Sequence, residues 1–289
     1  MVELLFSIVI LPVGALSFFT LGRVLGTRFS STSTLLCGAL LLLGSLSCWL
    51  AGGALQWALW TPSSIAYQMS YSPALLVVCA AGVLSVDSTV QARSRELLSS
   101  GLCLSVAALL CGALLRPYCR PPELSPQSLW SEGVCLQSHE SSCVPAAASS
   151  LLHLHGLEFG EQALAVTALT SSDGTPPLGS FLAVSKATAG SDFKACIQLN
   201  RPSPESILHL PMLAHVQFDG VHGSKSNTRG LYSRFLNGIR ARSEGHAVVI
   251  VQRCDDGWIV ADPAAGRVIW SDQQLAESWN GEGVYLSPR

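Results

Sequence analysis

Apolar residues dominate the first part of the chain and occur there in long runs. Four such runs cover residues 4–21, 35–60, 73–86 and 97–115. Because about 20 apolar residues in a helix cross the hydrocarbon core of a bilayer, the runs predict four transmembrane helices. The third run is short. It crosses only if its helix begins near Ile65 and carries Pro73 inside it, which membrane helices tolerate.

After residue 130 the pattern changes to shorter segments separated by turn residues. An alanine- and leucine-rich stretch begins at Cys143 and predicts a helix. Ser141 or Ser142 suits its N-cap, and Pro145 suits its first turn. Gly156 suits its C-terminal end.

Four later segments are rich in β-branched residues or alternate in polarity, which predicts strands. They cover residues 212–218, 246–252, 258–262 and 267–270. An Asp-Asp-Gly turn at 255–257 and an Ala-Ala-Gly turn at 264–266 separate the last three. We therefore expect an antiparallel sheet packed against the Cys143 helix. The predicted fold class is α+β, preceded by an all-α transmembrane region.

Composition divides the chain at the same place. Charged residues make up 12% of the 289 residues, against about 25% in soluble domains. Seven of them precede Arg116: Glu3, Arg23, Arg28, Asp87, Arg93, Arg95 and Glu96. The prolines that follow predict a stiff extended linker. The sequence thus predicts a transmembrane region over 1–115, a Pro-rich linker over 116–131 and a folded domain over 132–289.

Arginines near the helix ends predict an orientation. Arg23 and Arg28 follow the first run, Arg93 and Arg95 precede the fourth, and the loop after the second run has none. Since basic loops stay in the cytoplasm, four spans place the C-terminal domain outside it, in a multi-pass membrane protein whose partner is the lipid bilayer. Without the third span the domain lies on the other side. Cleavage of the first run as a signal peptide is the alternative, but only Glu3 precedes that run, with no basic residue.

Several function classes leave no trace in the sequence. The net charge is −2, and there is no basic patch interleaved with aromatic residues, no glycine loop for phosphates and no zinc-type cysteine spacing. We therefore expect neither nucleic acid nor nucleotide as a partner. No cofactor or metal ion is expected either.

The ten cysteines fall into two groups. Five lie in the apolar runs, where small packing thiols are expected: Cys37, Cys48, Cys79, Cys103 and Cys111. Besides Cys143, four lie in the second part of the chain: Cys119, Cys135, Cys196 and Cys254. Outside the cytoplasm these four could form two disulfides, and the sequence leaves the three possible pairings open.

Cys143 stands at the start of its predicted helix, where backbone N–H groups and the helix dipole stabilise a thiolate. Gln137 lies six residues earlier. In papain-like enzymes a glutamine at this spacing donates a hydrogen bond to the oxyanion that forms on the attacked carbonyl. We therefore take Cys143 as the candidate nucleophile and Gln137 as the candidate oxyanion donor.

The candidate base and its partner lie on two consecutive predicted strands. His246 opens one strand, and Asp262 closes the next, 16 residues later. Adjacent antiparallel strands would place the two side chains together, so that the imidazole takes the thiol proton and the carboxylate fixes the ring tautomer. The sequence thus predicts a Cys143–His246–Asp262 triad. His215, on an earlier strand, is the alternative base.

These segments resemble the bacteriocin-processing cysteine peptidases, the peptidase domains of exporters that remove double-glycine leaders. The resemblance lies in Leu-Gln-(x5)-Cys-x-Pro-Ala-Ala around Cys143, Gly-His at 246 and Asp-Pro at 262, and it covers about residues 133–286. It implies a papain-like fold with Cys143 as nucleophile, His246 as general base, Asp262 as its orienting carboxylate and Gln137 as oxyanion donor. The membrane region and an ATP-binding half are not part of it, so neither the exporter role nor the double-glycine specificity carries over.

Two features depart from the family pattern. Val144 stands where the family usually has glycine, and residues 220–245 look inserted before the histidine strand. The leading hypothesis is a membrane-anchored cysteine peptidase that cleaves a peptide or protein substrate. An acyl transferase of the transglutaminase or transpeptidase kind would use the same site. A catalytically silent peptide-binding module would retain the site without using it.

Overall fold

A computed structural model describes residues 2–29, 32–51, 54–60, 66–88, 90–199, 203–217 and 245–289. The chain divides into two compact units, Met1–Arg116 and Pro117–Arg289. The described part of the first unit is helical. All described strands belong to the second.

The first unit is built around its fifth helix. The helices are α1 (Val2–Arg28), α2 (Ser33–Ala51), the single turns α3 (Trp57–Trp60) and α4 (Ala66–Met69), α5 (Ala74–Val86) and α6 (Ala92–Cys119). Both α1 and α2 pack against α5. Helix α6 reaches α5 through Val106 and through the Ser99 hydroxyl, which donates to the Ala81 carbonyl at 3.0 Å.

Glycines allow α1 and α5 to approach backbone to backbone. A Cβ atom at Gly22 or at Gly82 would collide with a carbonyl group of the facing helix. A polar contact anchors the end of α5. There the buried Asp87 carboxylate accepts hydrogen bonds from the Ser33 and Thr34 hydroxyls at 2.7 and 3.2 Å. Small residues and one buried carboxylate therefore hold these helices together.

The prediction of four transmembrane helices is wrong. Within the described residues, no helix is both long enough and apolar enough to cross a bilayer. The run over 35–60 is not one helix, since α2 ends at Ala51. Helix α5 has 13 residues and is about 20 Å long, short of the roughly 30 Å of a bilayer core. The first turns of α6 are charged through Arg93, Arg95 and Glu96. The prediction of a multi-pass membrane protein with an extracytoplasmic domain is therefore wrong as well, and a lipid bilayer as partner has no support among the described residues.

The second unit packs helices against an antiparallel sheet. Its elements are strands β1 (Leu129–Ser131) and β2 (Val134–Leu136), helices α7 (Cys143–His153), α8 (Glu161–Thr167) and α9 (Pro177–Ala187), strand β3 (Phe193–Leu199), the 3₁₀ turn Pro204–Ser206, strands β4 (Met212–Gln217), β5 (Gly245–Cys254), β6 (Gly257–Asp262) and β7 (Gly266–Trp270), helix α10 (Asp272–Ser278) and strand β8 (Trp279–Pro288). The order in the six-stranded sheet is β3-β8-β4-β5-β6-β7. Every neighbouring pair is antiparallel.

The four strands expected from the polarity pattern lie within two residues of β4, β5, β6 and β7. The turn glycines Gly257 and Gly266 have φ of 134° and 84°, which glycine adopts without strain. The α+β part of the predicted fold class thus describes this unit, and its transmembrane part is the error. Phe218 and the supposed insertion at 220–245, apart from Gly245, lie outside the described residues.

Helix α7 is enclosed along most of its length. Residues 143–152 are all buried, and the helix packs against β2, β5, α8 and α9. Its alanine and serine side chains are small, so neighbouring elements approach it closely. The start of α7 is therefore held in place from several sides.

The Pro-rich segment is more than a connection. Helix α6 extends to Cys119 and β1 begins at Leu129. Between them the Arg120 carbonyl accepts the Ser172 N–H at 2.8 Å, and the Ser125 N–H donates to the Ser138 hydroxyl at 3.1 Å. The segment is thus hydrogen-bonded to the second unit.

Candidate active site

The start of α7 presents Cys143. Cys143 is the first residue of the helix and is 8% exposed. Ser142 occupies the N-cap position, but its hydroxyl donates to the His139 carbonyl at 2.6 Å and makes no cap. The first N–H groups of α7 and the positive end of its dipole therefore lie beside the sulfur without a side-chain cap.

His246 and Asp262 meet across two neighbouring strands. The register pairs Val249 with Ala261, which places His246 diagonally across from Asp262. The ring Nε2 lies 2.7 Å from Oδ1 of Asp262. The same Oδ1 accepts the Ala264 N–H at 2.8 Å, so the carboxylate is held from two directions.

The Cys143 side chain is hydrogen-bonded to the same imidazole. Since Asp262 engages Nε2, Nδ1 is the ring nitrogen left for the sulfur. The structure thus brings together three of the residues that the sequence singles out: Cys143, His246 and Asp262.

The charges in this group reinforce one another. Burial by itself would lower the pKa of His246, but hydrogen bonds with Asp262 and Cys143, and the charges of both, raise it from 6.5 to about 9. Burial opposes ionisation of Asp262. The bond and charge of His246, with the N–H groups of Ala264 and Ala265, nevertheless hold the pKa of Asp262 below its usual 3.8. At neutral pH the ring is therefore an imidazolium paired with a carboxylate.

Gln137 lies directly after β2, in the loop that leads to α7. Its N–H donates to the Pro263 carbonyl at 2.9 Å, which ties this loop to the residue after Asp262. Its side-chain Oε1 is buried and has no hydrogen-bond partner among the described residues. Backbone contacts, rather than bonds of this amide oxygen, therefore set the position of Gln137.

His215, the alternative base, is engaged elsewhere. Its Nε2 lies 3.0 Å from the Ser180 hydroxyl, and its Nδ1 lies 3.3 Å from Oε2 of Glu282. The Ser180 hydroxyl donates to the Pro177 carbonyl at 2.7 Å, so it accepts from the ring. His215 thus joins α9, β4 and β8, and the structure pairs Asp262 with His246.

The sequence analysis assigned no role in the site to one residue that lies behind it. Glu161, the first residue of α8, is fully buried, and its Oε1 accepts the Ser138 N–H at 2.9 Å. Its Oε2 has no partner among the described residues. An acidic residue in the first turn of a helix is ordinary. The polarity pattern therefore gave no reason to connect Glu161 with the loop at 137–138.

The other thiols of the second unit have different surroundings. Cys119, Cys135, Cys196 and Cys254 are free thiols, so no disulfide joins these four. Burial raises the pKa of Cys135 to about 11, with a further contribution from the charge of Glu161. Cys135 is consequently a neutral thiol, whereas Cys143 shares a hydrogen bond with an imidazolium.

No protein-family model matches the chain. No curated protein matches it either.

Three solved structures are similar to part of the chain. The peptidase domain of Streptococcus ComA, a bifunctional ABC transporter involved in a quorum-sensing pathway, is 19% identical, with a TM-score of 0.40, over 53% of this chain and 96% of that one. A double-glycine-motif protease from an AMS/PCAT transporter, solved with its leader peptide, is 18% identical, with a TM-score of 0.40, over 57% and 97%. The peptidase domain of Streptococcus mutans ComA is 17% identical, with a TM-score of 0.35, over 54% and 99%. All three are peptidase domains or proteases, and each covers about half of this chain.

Proposed function

We propose that this protein is a cysteine peptidase that cleaves a peptide or protein substrate. One observation carries the proposal: a single imidazole, His246, is hydrogen-bonded both to Asp262 at 2.7 Å and to Cys143 at the start of a helix. A nucleophile, a base and a group that orients the base are thereby in contact, which is the arrangement that thiol catalysis requires.

In the proposed reaction the Cys143 sulfur forms a bond to the carbonyl carbon of the scissile peptide. The carbonyl π electrons move to its oxygen, and the Gln137 amide donates to that oxyanion. When the intermediate collapses, the carbon–nitrogen bond breaks and the leaving amine takes the proton of the His246 imidazolium. This gives a thioester and a free amine.

Water completes the cycle. Neutral His246 takes a proton from water as the water oxygen attacks the thioester carbonyl. The carbon–sulfur bond then breaks, the acid product leaves, and the thiolate and the imidazolium are restored. Asp262 keeps Nε2 occupied throughout, so that Nδ1 is the nitrogen that moves protons.

Alkylation of Cys143 by iodoacetamide tests the proposed nucleophile. In a background where Cys119, Cys196 and Cys254 are serine, we expect labelling near neutral pH that is lost in His246→Ala. A thiol paired with an imidazole ionises with a pKa of about 3.5–7.5, whereas an ordinary thiol has a pKa of about 8.5. Labelling only above about pH 8 in both proteins would exclude an activated thiolate.

Turnover of a library of quenched fluorescent peptides tests the reaction class. We expect cleavage that Cys143→Ala abolishes, whereas Cys254→Ala, which removes a partly exposed thiol, leaves it unchanged. Cleavage by Cys143→Ala would refute the proposal. Mass spectrometry with an added amine separates hydrolysis, which gives a free acid, from acyl transfer, which gives an amide.

A further inference from the structure

The Gln137 side chain depends on its backbone for orientation. Its Oε1 is buried without a hydrogen-bond partner among the described residues. An oxyanion donor has to be held within a fraction of an ångström of its working position. The two N–H groups at positions 137 and 138 are the contacts that provide this hold, the first through Pro263 and the second through Glu161.

Glu161 makes the second of these two contacts. Its Oε1 accepts the Ser138 N–H at 2.9 Å, and its own N–H donates to the Ser128 hydroxyl at 3.0 Å. The Ser138 hydroxyl accepts the Ser125 N–H at 3.1 Å. The residue after Gln137 is therefore joined through Glu161 to the start of α8, and through its hydroxyl to the Pro-rich segment.

The Glu161 carboxylate is buried, and no ion pair among the described residues includes it. Its Oε2 has no partner in the described part of the chain. An unpaired buried carboxylate opposes folding. Its hydrogen bond to a backbone N–H, however, is charge-assisted and stronger than a neutral one.

We infer that Glu161 is a positioning residue: its carboxylate holds the Ser138 N–H and thereby fixes the direction of the Gln137 amide toward the oxyanion. The inference rests on the proposed peptidase function. Glu161 acts through Gln137 and touches neither substrate nor Cys143 in this scheme. Its effect therefore belongs to the stabilisation of the oxyanion and not to the formation of the thiolate.

The test compares single and double variants of the full chain in three assays. The assays are kcat on quenched fluorescent peptides, inhibition by tripeptide aldehydes, whose adduct with Cys143 carries an oxyanion, and iodoacetamide alkylation, which forms none. The variants are Glu161→Ala, Glu161→Gln, Gln137→Ala and Gln137→Ala with Glu161→Ala. Glu158→Gln, whose side chain is 75% exposed, is the matched control.

We expect Glu161→Ala to lower kcat and aldehyde affinity by about tenfold to a hundredfold, while the alkylation rate of Cys143 stays unchanged. Glu161→Gln keeps an oxygen for the Ser138 N–H and should recover most of the loss. In the Gln137→Ala background, Glu161→Ala should lower kcat and aldehyde affinity no further, because its effect passes through the missing amide. Glu158→Gln should behave as wild type.

Three results would overturn the inference. They are multiplicative losses in the double variant, a Glu161→Gln variant as impaired as Glu161→Ala, and an alkylation rate that falls in parallel with kcat. The last would mean that Glu161 supports the whole site. Failure of the proposed function looks different, since wild-type protein would then neither cleave peptides nor bind aldehydes through Cys143.

Discussion

At the scale of single residues, His246 sets the pH range in which the site can work. In the proposed reaction its imidazolium donates a proton to the leaving amine, and the surrounding hydrogen bonds and charges raise its pKa to about 9. The usual histidine, with a pKa near 6.5, would be mostly neutral at physiological pH. The raised pKa therefore suits the role of proton donor that we propose for His246 at neutral pH.

We predict that kcat/KM for peptide cleavage falls as the pH rises through about 9, because the imidazolium is lost there. Measurement of kcat/KM against pH checks this, with iodoacetamide alkylation of Cys143 as the control. Alkylation needs no acid and should not fall over the same range. A profile that already declines near pH 6.5 would contradict the raised pKa.

The same ionisation contributes to stability. Because the folded pKa of His246 is higher than the unfolded value of 6.5, its contribution is complete below pH 6.5 and is lost as the pH rises through about 9. Urea unfolding of wild type and His246→Ala at several pH values should therefore show a difference that shrinks in this window. A constant difference would mean that the charge of His246 does not stabilise the fold.

We predict that Asp262→Asn lowers kcat by about a hundredfold to ten-thousandfold, because an amide removes the negative charge that favours the imidazolium. Asp173→Asn is the matched control, since Asp173 is partly exposed and pairs with Arg120 at 3.8 Å. The check is kcat on the same peptide for both variants. Equal activity of Asp262→Asn and wild type would remove Asp262 from the mechanism.

At the scale of elements, the packing of α5 depends on residues without side chains. A Cβ atom at Gly82 would collide with the Phe19 carbonyl of α1, whereas one at Gly101 in α6 meets nothing within 4 Å. The same substitution should therefore have opposite effects in the two helices. The comparison separates close packing from helix propensity.

We predict that Gly82→Ala destabilises the protein by about 1–3 kcal/mol through the forced separation of α1 and α5. Gly101→Ala should stabilise α6 by up to about 1 kcal/mol, because alanine is the better helix former. Urea unfolding monitored by helical circular dichroism measures both. Stabilisation by Gly82→Ala would show that the backbones do not approach this closely.

At the scale of the whole molecule, the chain forms two compact units that meet in sequence at residue 116. The Pro-rich segment belongs with the second. Its Ser125 and Ser128 hydrogen-bond to Ser138 and Glu161, so a cut at residue 132 removes contacts that a cut at residue 117 keeps.

We propose that residues 117–289 fold as an autonomous domain, and we predict that this fragment keeps the His246-dependent alkylation of Cys143. Residues 132–289 should be less stable to urea, because β2 loses its partner β1 and Glu161 loses the Ser128 hydroxyl. Expression and alkylation of both fragments check this. Equal stability would show that the Pro-rich segment contributes nothing.

Much of the second unit follows from local patterns. Alternating and β-branched segments indicated β4 to β7, because successive side chains of a strand point to opposite faces of the sheet. The glycines at 257 and 266 indicated the turns between them, because tight hairpin turns contain residues with positive φ. By contrast, β8 was not recognised. It carries an irregular stretch next to β4, where Ala214 pairs with Gly283 and Val216 with Trp279, so its alternation is broken.

The sequence by itself determined which residues to consider as a site, because a cysteine at a helix start and a histidine and an aspartate on consecutive strands follow from local geometry. The contact between Cys143 and His246 joins elements about a hundred residues apart, which only the tertiary structure decided. It also decided that Glu161 lies behind Gln137, since no periodic pattern records which side chain reaches a distant N–H. Hydropathy overstated the lengths of the helices in the first unit because apolar runs do not reveal where a helix ends: α2 ends at Ala51, inside the run over 35–60, and α5 has 13 residues.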